Sequence, residues 1–436
     1  MKSNDKTKPL AVARAVLARN LSGEAQALTS VCSAHPLALR AALSAARAAG
    51  QITLVEATCN QVNQYGGYTG MTPADFVAMV HDAAADEHVP PDTILLGGDH
   101  LGPQPWRDAP AEVAMAKARM MVDAYVRAGF AKIHLDCSMR CADDPDILPE
   151  SVIAERAATL AVAAENATSD VAPIYVIGTE VPPPGGMGEG HAIIATDPDH
   201  VAATWEAHRI AFDAVGLGEA FARVCAIVVQ PGLDFGNETV VHFDASAARR
   251  LSTKVTSLSG AVFEAHSTDY QRPQAYSDLV RGHFAILKVG PAATFAVREA
   301  TYGLNMLAAE LEGDDWPDVR DALDSAMLDN PRHWTGHYAP AAPQLARLRH
   351  YSWSDRIRYY WTVPSVQKAV TELFTRLDAT NWPLPLVSQY LPQQYDAIAD
   401  AKLAPRCDVI VKDFVVRALS PYYSASRPHP LSGKEP

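Results

Sequence analysis

The sequence predicts an α/β protein, a (β/α)8 barrel carrying an added helical C-terminal region. Three observations carry that prediction. Short apolar runs recur, each followed by a polar or Gly/Pro turn and then a helical pattern. The runs are continuously apolar, as strands of a parallel sheet covered on both faces require. Their polar residues collect at the carboxyl ends, which is where barrel enzymes assemble their sites.

The strand runs, in order, are LTSVCSAHP (28–36), ITLVEATCNQ (52–61), TILLGGDHLGP (93–103), AKIHLDCS (131–138), PIYVIGTEVPPPGG (173–186), CAIVVQPGLDFG (225–236), AVFEAHSTDYQ (261–271) and FAILKVGP (284–291). Ala-rich helical segments lie between them, among them 37–50, 111–130 and 200–216. Strands alternating with helices pair in parallel. A doubly wound open sheet is the alternative, weakened because no G-x-G-x-x-G follows the first strand. Residues 1–311 are therefore expected to form the barrel with an N-terminal helix. Residues 312–436 are expected to be a helical region packed on it, with segments at 366–379 and 408–419. The end of the chain, from about 424 to 436, reads as a disordered tail.

The composition is that of a globular protein: 436 residues, 48% hydrophobic and 20% charged. A formal net charge of −13 argues against a nucleic-acid binder. No apolar stretch reaches the length of a membrane span, and the N-terminus has no apolar leader core. Six cysteines without paired spacing fit a cytoplasmic protein with reduced thiols. A homo-oligomer acting on a small molecule is expected.

The strand ends supply the chemistry. His100 follows Asp99 at one strand end, and His266 ends another. Two converging imidazoles, with Glu180 or Gln230 to complete the shell, would suit a divalent metal such as zinc or manganese. His35, His134 and His208 read as ordinary globular histidines and receive no special weight. Asp99, Asp136, Glu180 and Asp269 are the acid/base candidates. Helix capping is the alternative for Asp269 and for Ser267, because a helical stretch follows them. Gly290, before Pro291 at a helix start, offers amide donors for a phosphate, with Lys288 and Ser267 beside it. Lys288 could equally pair with Glu56 or Glu264 inside the barrel. The loop VPPPGGMGEGH (181–191) is long enough for a lid. In SWSDRIRYYW (352–361), Arg356 and Arg358 could reach over the mouth to a phosphate, or serve as a joint docking the C-terminal region. No G-x-x-x-x-G-K-[ST] occurs, so nothing here reads as a kinase.

Several long motifs carry a family resemblance: SVCSAHPL, EATCNQVNQYGGYTGMTPADF, LLGGDHLGP, YVRAGFAKIHLDCSM, YVIGTEVPPPGG, VVQPGLDF, FEAHSTDYQ, HFAILKVGPA and WSDRIRYYW. From about residue 20 to about residue 420 the chain resembles the Z-type subunit family of class II tagatose-bisphosphate aldolase. The resemblance implies a TIM barrel and a place in galactitol, tagatose or N-acetylgalactosamine breakdown. It also matches Asp99 to a catalytic aspartate, His100 and His266 to metal ligands, and Glu180 to a strand-five glutamate. The chain departs from the related zinc aldolases at two points. Gln230-Pro231 stands where they have a third histidine, and His266-Ser267-Thr268 replaces their H-G-G-S-G. The resemblance implies either a metal-dependent epimerase converting D-tagatose 6-phosphate to D-fructose 6-phosphate, or a non-catalytic subunit stabilising a Y-type aldolase chain. The ionisable groups kept at the strand ends favour the enzyme.

Overall fold

The computed structural model describes residues 3–168, 171–179, 193–313, 316, 318–338 and 342–427. Its centre is a closed barrel of eight parallel strands, β1 (Leu28–Cys32), β2 (Thr53–Thr58), β3 (Ile94–Leu101), β4 (Lys132–Leu135), β5 (Ile174–Ile177), β6 (Val224–Val229), β9 (Val262–Ala265) and β10 (Phe284–Val289). Each strand pairs with its neighbours in chain order, and β10 closes on β1. A small antiparallel hairpin, β7 (Asp234–Phe235) and β8 (Val240–Val241), interrupts the sixth connection. Every residue of β2, β3, β6 and β10 is buried, as the continuous apolar runs require.

The chain enters through α1 (Ser3–Leu21). The connections are α2 (Pro36–Ala48), α3 (Pro73–Asp86), α4 (Ala111–Ala128), α5 (Glu150–Ala167), α6 (Pro198–Ala214) with α7 (Gly218–Phe221), α8 (Arg249–Lys254), α9 (Pro273–Arg281) and α10 (Pro291–Glu312). Their starts follow local chemistry. Thr72 and Asp75 form a reciprocal capping box on α3, Asp197 caps α6, and several helices carry proline in the first turn. Helix α1 plugs the amino-terminal end of the barrel. Its Leu10, Ala13, Val16 and Leu17 pack on Leu28, Ile52, Leu95, Ile174, Val262 and Ile286. Burying a leucine or valine contributes roughly 1.5–3 kcal/mol. That end is thereby closed, and the carboxyl face is left for a site.

The C-terminal region is helical: α11 (Val319–Asp329), α12 (Ala342–Tyr351), α13 (Pro364–Leu377), α14 (Leu384–Tyr390), α15 (Tyr395–Ala399) and α16 (Cys407–Ala425). Helix α16 packs on α2, α9 and α10. Residues 424–427, expected to belong to a tail, are held in place. Ser424 and Ala425 complete α16, Ser426 Oγ accepts the Ala27 amide at 2.9 Å, and the Arg427 amide donates to Ala25 O at 2.9 Å. These bonds tie the chain to the start of β1, and residues 428–436 lie outside the described residues. No helix among the described residues is long and apolar enough to cross a membrane.

Candidate active site

The carboxyl end of β3 carries the first two groups. Consecutive strand residues normally point to opposite faces, yet Asp99 and His100 both line the same cavity at the barrel mouth. Two local features allow this. The β3–β4 register shifts between Gly98 and Leu101, and His100 adopts a left-handed φ of 50°. Such a bulge re-aims a side chain, and non-glycine residues hold positive φ at a strain cost that concentrates at functional sites. The flanking glycines have steric reasons. A Cβ on Gly97 would lie 2.5 Å from Glu56 Oε1, and one on Gly102 would lie 1.7 Å from Asp136 O.

Beneath the mouth is a fully charged floor. Lys132 Nζ sits 2.5 Å from Glu56 Oε1 and 2.7 Å from Glu264 Oε2. Lys288 pairs with Glu56 and, at 2.8 Å, with Asp99 Oδ1. His134 Nδ1 lies 2.9 Å from the same Asp99 oxygen, and His266 Nε2 lies 2.9 Å from Glu264 Oε1. His100 Nδ1 lies 2.8 Å from Asp136 Oδ2, whose other oxygen accepts Ser138 N and Oγ. The imidazoles of His100, His134 and His266 form one triangle, with centroids 4.9–5.3 Å apart.

Electrostatics fix the charge states. Burial alone would raise the Asp99 carboxyl, but the three imidazoles around it hold it well below the usual carboxylate range. Burial is likewise overcome at Asp136, where His100 keeps the pKa at about 2, and at Glu264, where Lys132 and His266 do the same. Burial disfavours the His100 imidazolium, yet Asp99 and Asp136 lift its pKa to about 9. Burial presses Lys288 down to about 8, so it stays charged at neutral pH. Four carboxylates (Glu56, Asp99, Asp136, Glu264) thus meet Lys132, Lys288 and three imidazoles beneath the mouth.

Crowded carboxylates and imidazoles of this kind are the donors a divalent cation takes. Asp99, His134, Glu264 and His266 each offer a ligand atom, all within 4.8 Å of one another. His134 Nε2 is buried without a hydrogen-bond partner. Two imidazoles and two carboxylates make a donor set that fits zinc or manganese. The buried groups could therefore hold a metal.

The structure brings together Asp99, His100, His266, Ser267, Lys288, Gly290 and Arg358 around one cavity, with Cys32, Asn60, Gln61, Tyr68, Asp269 and Tyr359. Asp136 stands behind His100. Other candidates sit differently from the sequence expectation. The Gln230 Oε1 accepts the Gly232 and Leu233 amides at 2.8 and 3.0 Å, which commits it to its own turn and away from a metal shell. Lys288 is spent on carboxylates, so its expected phosphate role gives way to the internal ion pair. At the α10 start, Asp269 Oδ1 already accepts the Gly290 and Ala292 amides at 3.1 and 2.8 Å. Asp269 is a cap, as its capping alternative held, but of α10 across the barrel top and not of the adjacent α9. A phosphate would find those donors taken. Arg356 lines a neighbouring hollow, and Arg358 bonds the Ser354 and Asp355 carbonyls and, at 3.2 Å, Tyr359 Oη. Glu180 and the expected lid, 181–191, lie outside the described residues.

His134 and Glu264 belong to the group that could hold a metal, and the sequence reading gave neither that role. A signal existed in the period of two: Lys132, His134 and Asp136 alternate along AKIHLDCS, and Glu264 and His266 along FEAHS, so each set points inward together.

Comparison with known proteins gives the same frame. A family model described as D-tagatose-1,6-bisphosphate aldolase subunit GatZ/KbaZ-like matches residues 13–427. The chain is similar to the D-tagatose 6-phosphate 4-epimerase of Agrobacterium fabrum, 50% identical over 387 residues covering 87% of this chain and 91% of that one. It is also similar to the D-tagatose-1,6-bisphosphate aldolase subunit GatZ of Klebsiella pneumoniae, 47% identical over 415 residues, 93% of this chain and 97% of that one. A crystal structure described as a probable tagatose 6 phosphate kinase from Sinorhizobium meliloti superposes with a TM-score of 0.86 at 45% identity, covering 92% of this chain and 100% of that one.

Proposed function

The chain belongs to the D-tagatose-1,6-bisphosphate aldolase subunit GatZ/KbaZ-like family, and within it we propose that this protein is a cytoplasmic, metal-dependent 4-epimerase converting D-tagatose 6-phosphate to D-fructose 6-phosphate. The observation that carries the reading is the ionised floor beneath the mouth cavity, with Asp99, His100 and His266 lining that cavity. Burying an ion costs several kcal/mol even after relaxation. A chain serving only to stabilise another needs an interface and no such group.

The C4 epimers interconvert by breaking and remaking one bond. Asp99 takes the proton from the C4 hydroxyl, and the O–H electron pair becomes the C4 carbonyl. The C3–C4 bond breaks, and its electrons pass into an enediolate of the C1–C3 fragment. The aldehyde then turns its other face, C3 attacks it, and Asp99 returns the proton to the C4 oxygen. His100, held by Asp136 as a cation, faces the negative charge that develops on the enediolate. Asp99, His134, Glu264 and His266 would hold the metal. When bound, a divalent ion supplies Lewis acidity toward the ketose carbonyl and hydroxyl oxygens.

The second reading, an accessory subunit of a Y-type aldolase, is favoured by the GatZ relatives, which match nearly the whole chain. The kinase description of the similar structure finds no phosphate-binding loop motif in this sequence to support it. The two main readings separate on one preparation. Protein purified free of any aldolase chain and loaded with zinc or manganese should convert D-tagatose 6-phosphate by itself. No turnover, with a gain in activity or lifetime of a Y-type aldolase on mixing, would make it the accessory subunit.

A further inference from the structure

Beside the mouth cavity lies a second hollow that shares Asn60, Tyr68 and Tyr359 with it. The Tyr68 and Tyr359 rings, 4.4 Å apart, form the common wall. On the far side the lining includes Arg107, Arg332 and Arg356, with no carboxylate among the lining residues. The three come from separate parts of the chain: the segment after β3, the turn after α11 and the helical turn after α12. Arg356 is only 4% exposed. It donates to Tyr359 Oη at 3.0 Å and contacts His337 Nε2, while Arg332 Nε donates to His333 Nε2 at 2.9 Å. Among the described residues none of the three arginines is in an ion pair. Tyr359 anchors the cluster, with Arg356 5.4 Å from its ring centroid and His333 stacked on it at 4.6 Å.

Like charges gathered on a part-buried wall repel unless an anion joins them. The two histidines, His333 and His337, do not relieve the imbalance. Burial and the surrounding guanidiniums hold both at about 4, so they stay neutral at physiological pH. Neutral imidazoles and forked guanidiniums together present the donors that a phosphate dianion needs. The alternative seat at the α10 start is already filled by the Asp269 carboxylate.

We infer that the substrate's phosphate is seated in this hollow, held by Arg107, Arg332 and Arg356, while the ketose end reaches past Tyr359 to Asp99 and His266. The inference rests on the ketose-phosphate reading and adds to it the place where the phosphate is recognised. It also assigns the selection of phosphorylated over free sugar to residues outside the barrel strands.

The test is a binding titration on full-length, metal-loaded protein with D-tagatose 6-phosphate, D-tagatose and inorganic phosphate. Arg107 and Arg332 are exposed, so Arg107→Gln and Arg332→Gln should fold, and Arg356→Gln is measured beside them. The expected result is a Kd for D-tagatose 6-phosphate at least about tenfold higher in each variant, with the Kd for D-tagatose unchanged. A Kd for the phosphorylated sugar equal to the parent's in Arg107→Gln and Arg332→Gln would overturn the seat. Turnover is scored separately on the parent protein. Arginine-dependent binding without turnover sinks the epimerase reading and leaves the seat standing, whereas turnover with arginine-independent binding does the reverse. A parent that binds neither D-tagatose 6-phosphate nor inorganic phosphate overturns both.

Discussion

Asp136 Oδ2 lies 2.8 Å from His100 Nδ1, and Ser138 secures the other Asp136 oxygen at 2.6 Å. The carboxylate therefore fixes the ring plane of His100 and holds its positive charge toward the mouth, where Asp99 Oδ2 stands 3.7 Å from His100 Nε2. Asp136 does not line the cavity, so in the proposed epimerisation it acts through His100. Asp136→Asn keeps the shape and removes the charge. It should lower kcat by about 10²–10³ while moving KM by less than about threefold, as steady-state kinetics on the isolated variant would report. An equal fall in affinity would make Asp136 a binding residue instead.

Metal content separates the donor set in the structure from the one the sequence suggests. His134→Ala and His266→Ala should each lose most of the bound metal, because both imidazoles belong to the group within 4.8 Å. Second-sphere and ligand losses of this kind cost about 10–100-fold or more in metal affinity. Gln230→Ala should keep the parent's stoichiometry, since its amide oxygen serves a turn. Elemental analysis after dialysis reads all three, and an unchanged metal content in His134→Ala would remove that residue from the shell.

The charged floor is a stability liability as well as a chemical device. Lys132 is fully buried between Glu56 and Glu264. Lys132→Met leaves both carboxylates short of a cation and should cost about 3–5 kcal/mol in reversible denaturant unfolding. Pairing it with Glu56→Gln restores the charge balance and should recover part of that loss. A single variant as stable as the parent would mean that the floor is not closed to water.

Much of the architecture was legible because local pattern and fold agree. Continuous apolar runs that end in Gly or Pro turns and alternate with helical segments read as parallel strands under helices, and all eight became barrel strands. Asp99, His100 and His266 were legible as strand-end polar groups. His134 was not, because a lone imidazole inside an apolar run looks like any core histidine until Asp99 and His266 stand on either side of it. Asp269 misled for another reason. Its cap partner, Gly290, is 21 residues away and across a strand, and spacing alone assigns a cap to the next helix. The arginine hollow was invisible in the same way, since Arg107, Arg332 and Arg356 meet only after the C-terminal region docks.

A carboxyl at that docking joint gives a pH prediction. Burial pushes the Asp355 pKa up from 3.8 to about 7, against the opposing pull of Arg358, and Thr294 Oγ1 bonds it. Because the folded value lies above the unfolded one, the native state holds the extra proton. The stability it contributes is full below about pH 4 and is lost as pH rises through about 7. Asp355→Asn keeps a neutral group at all pH. The Tm of the variant minus that of the parent should therefore rise by at least about 2 °C from pH 5 to pH 8, measured by thermal melts in matched salt. A flat difference would mean that Asp355 is ionised throughout.

The central claim is C3–C4 cleavage and rejoining by this chain alone, and proton and carbon NMR in deuterium oxide tests it most directly. Metal-loaded protein, free of any aldolase subunit, is incubated with D-tagatose 6-phosphate. The account predicts D-fructose 6-phosphate with its original hydrogens on C3 and C4, because bond cleavage leaves both in place while only the hydroxyl proton moves. Deuterium at either carbon, or no product at all, would contradict it.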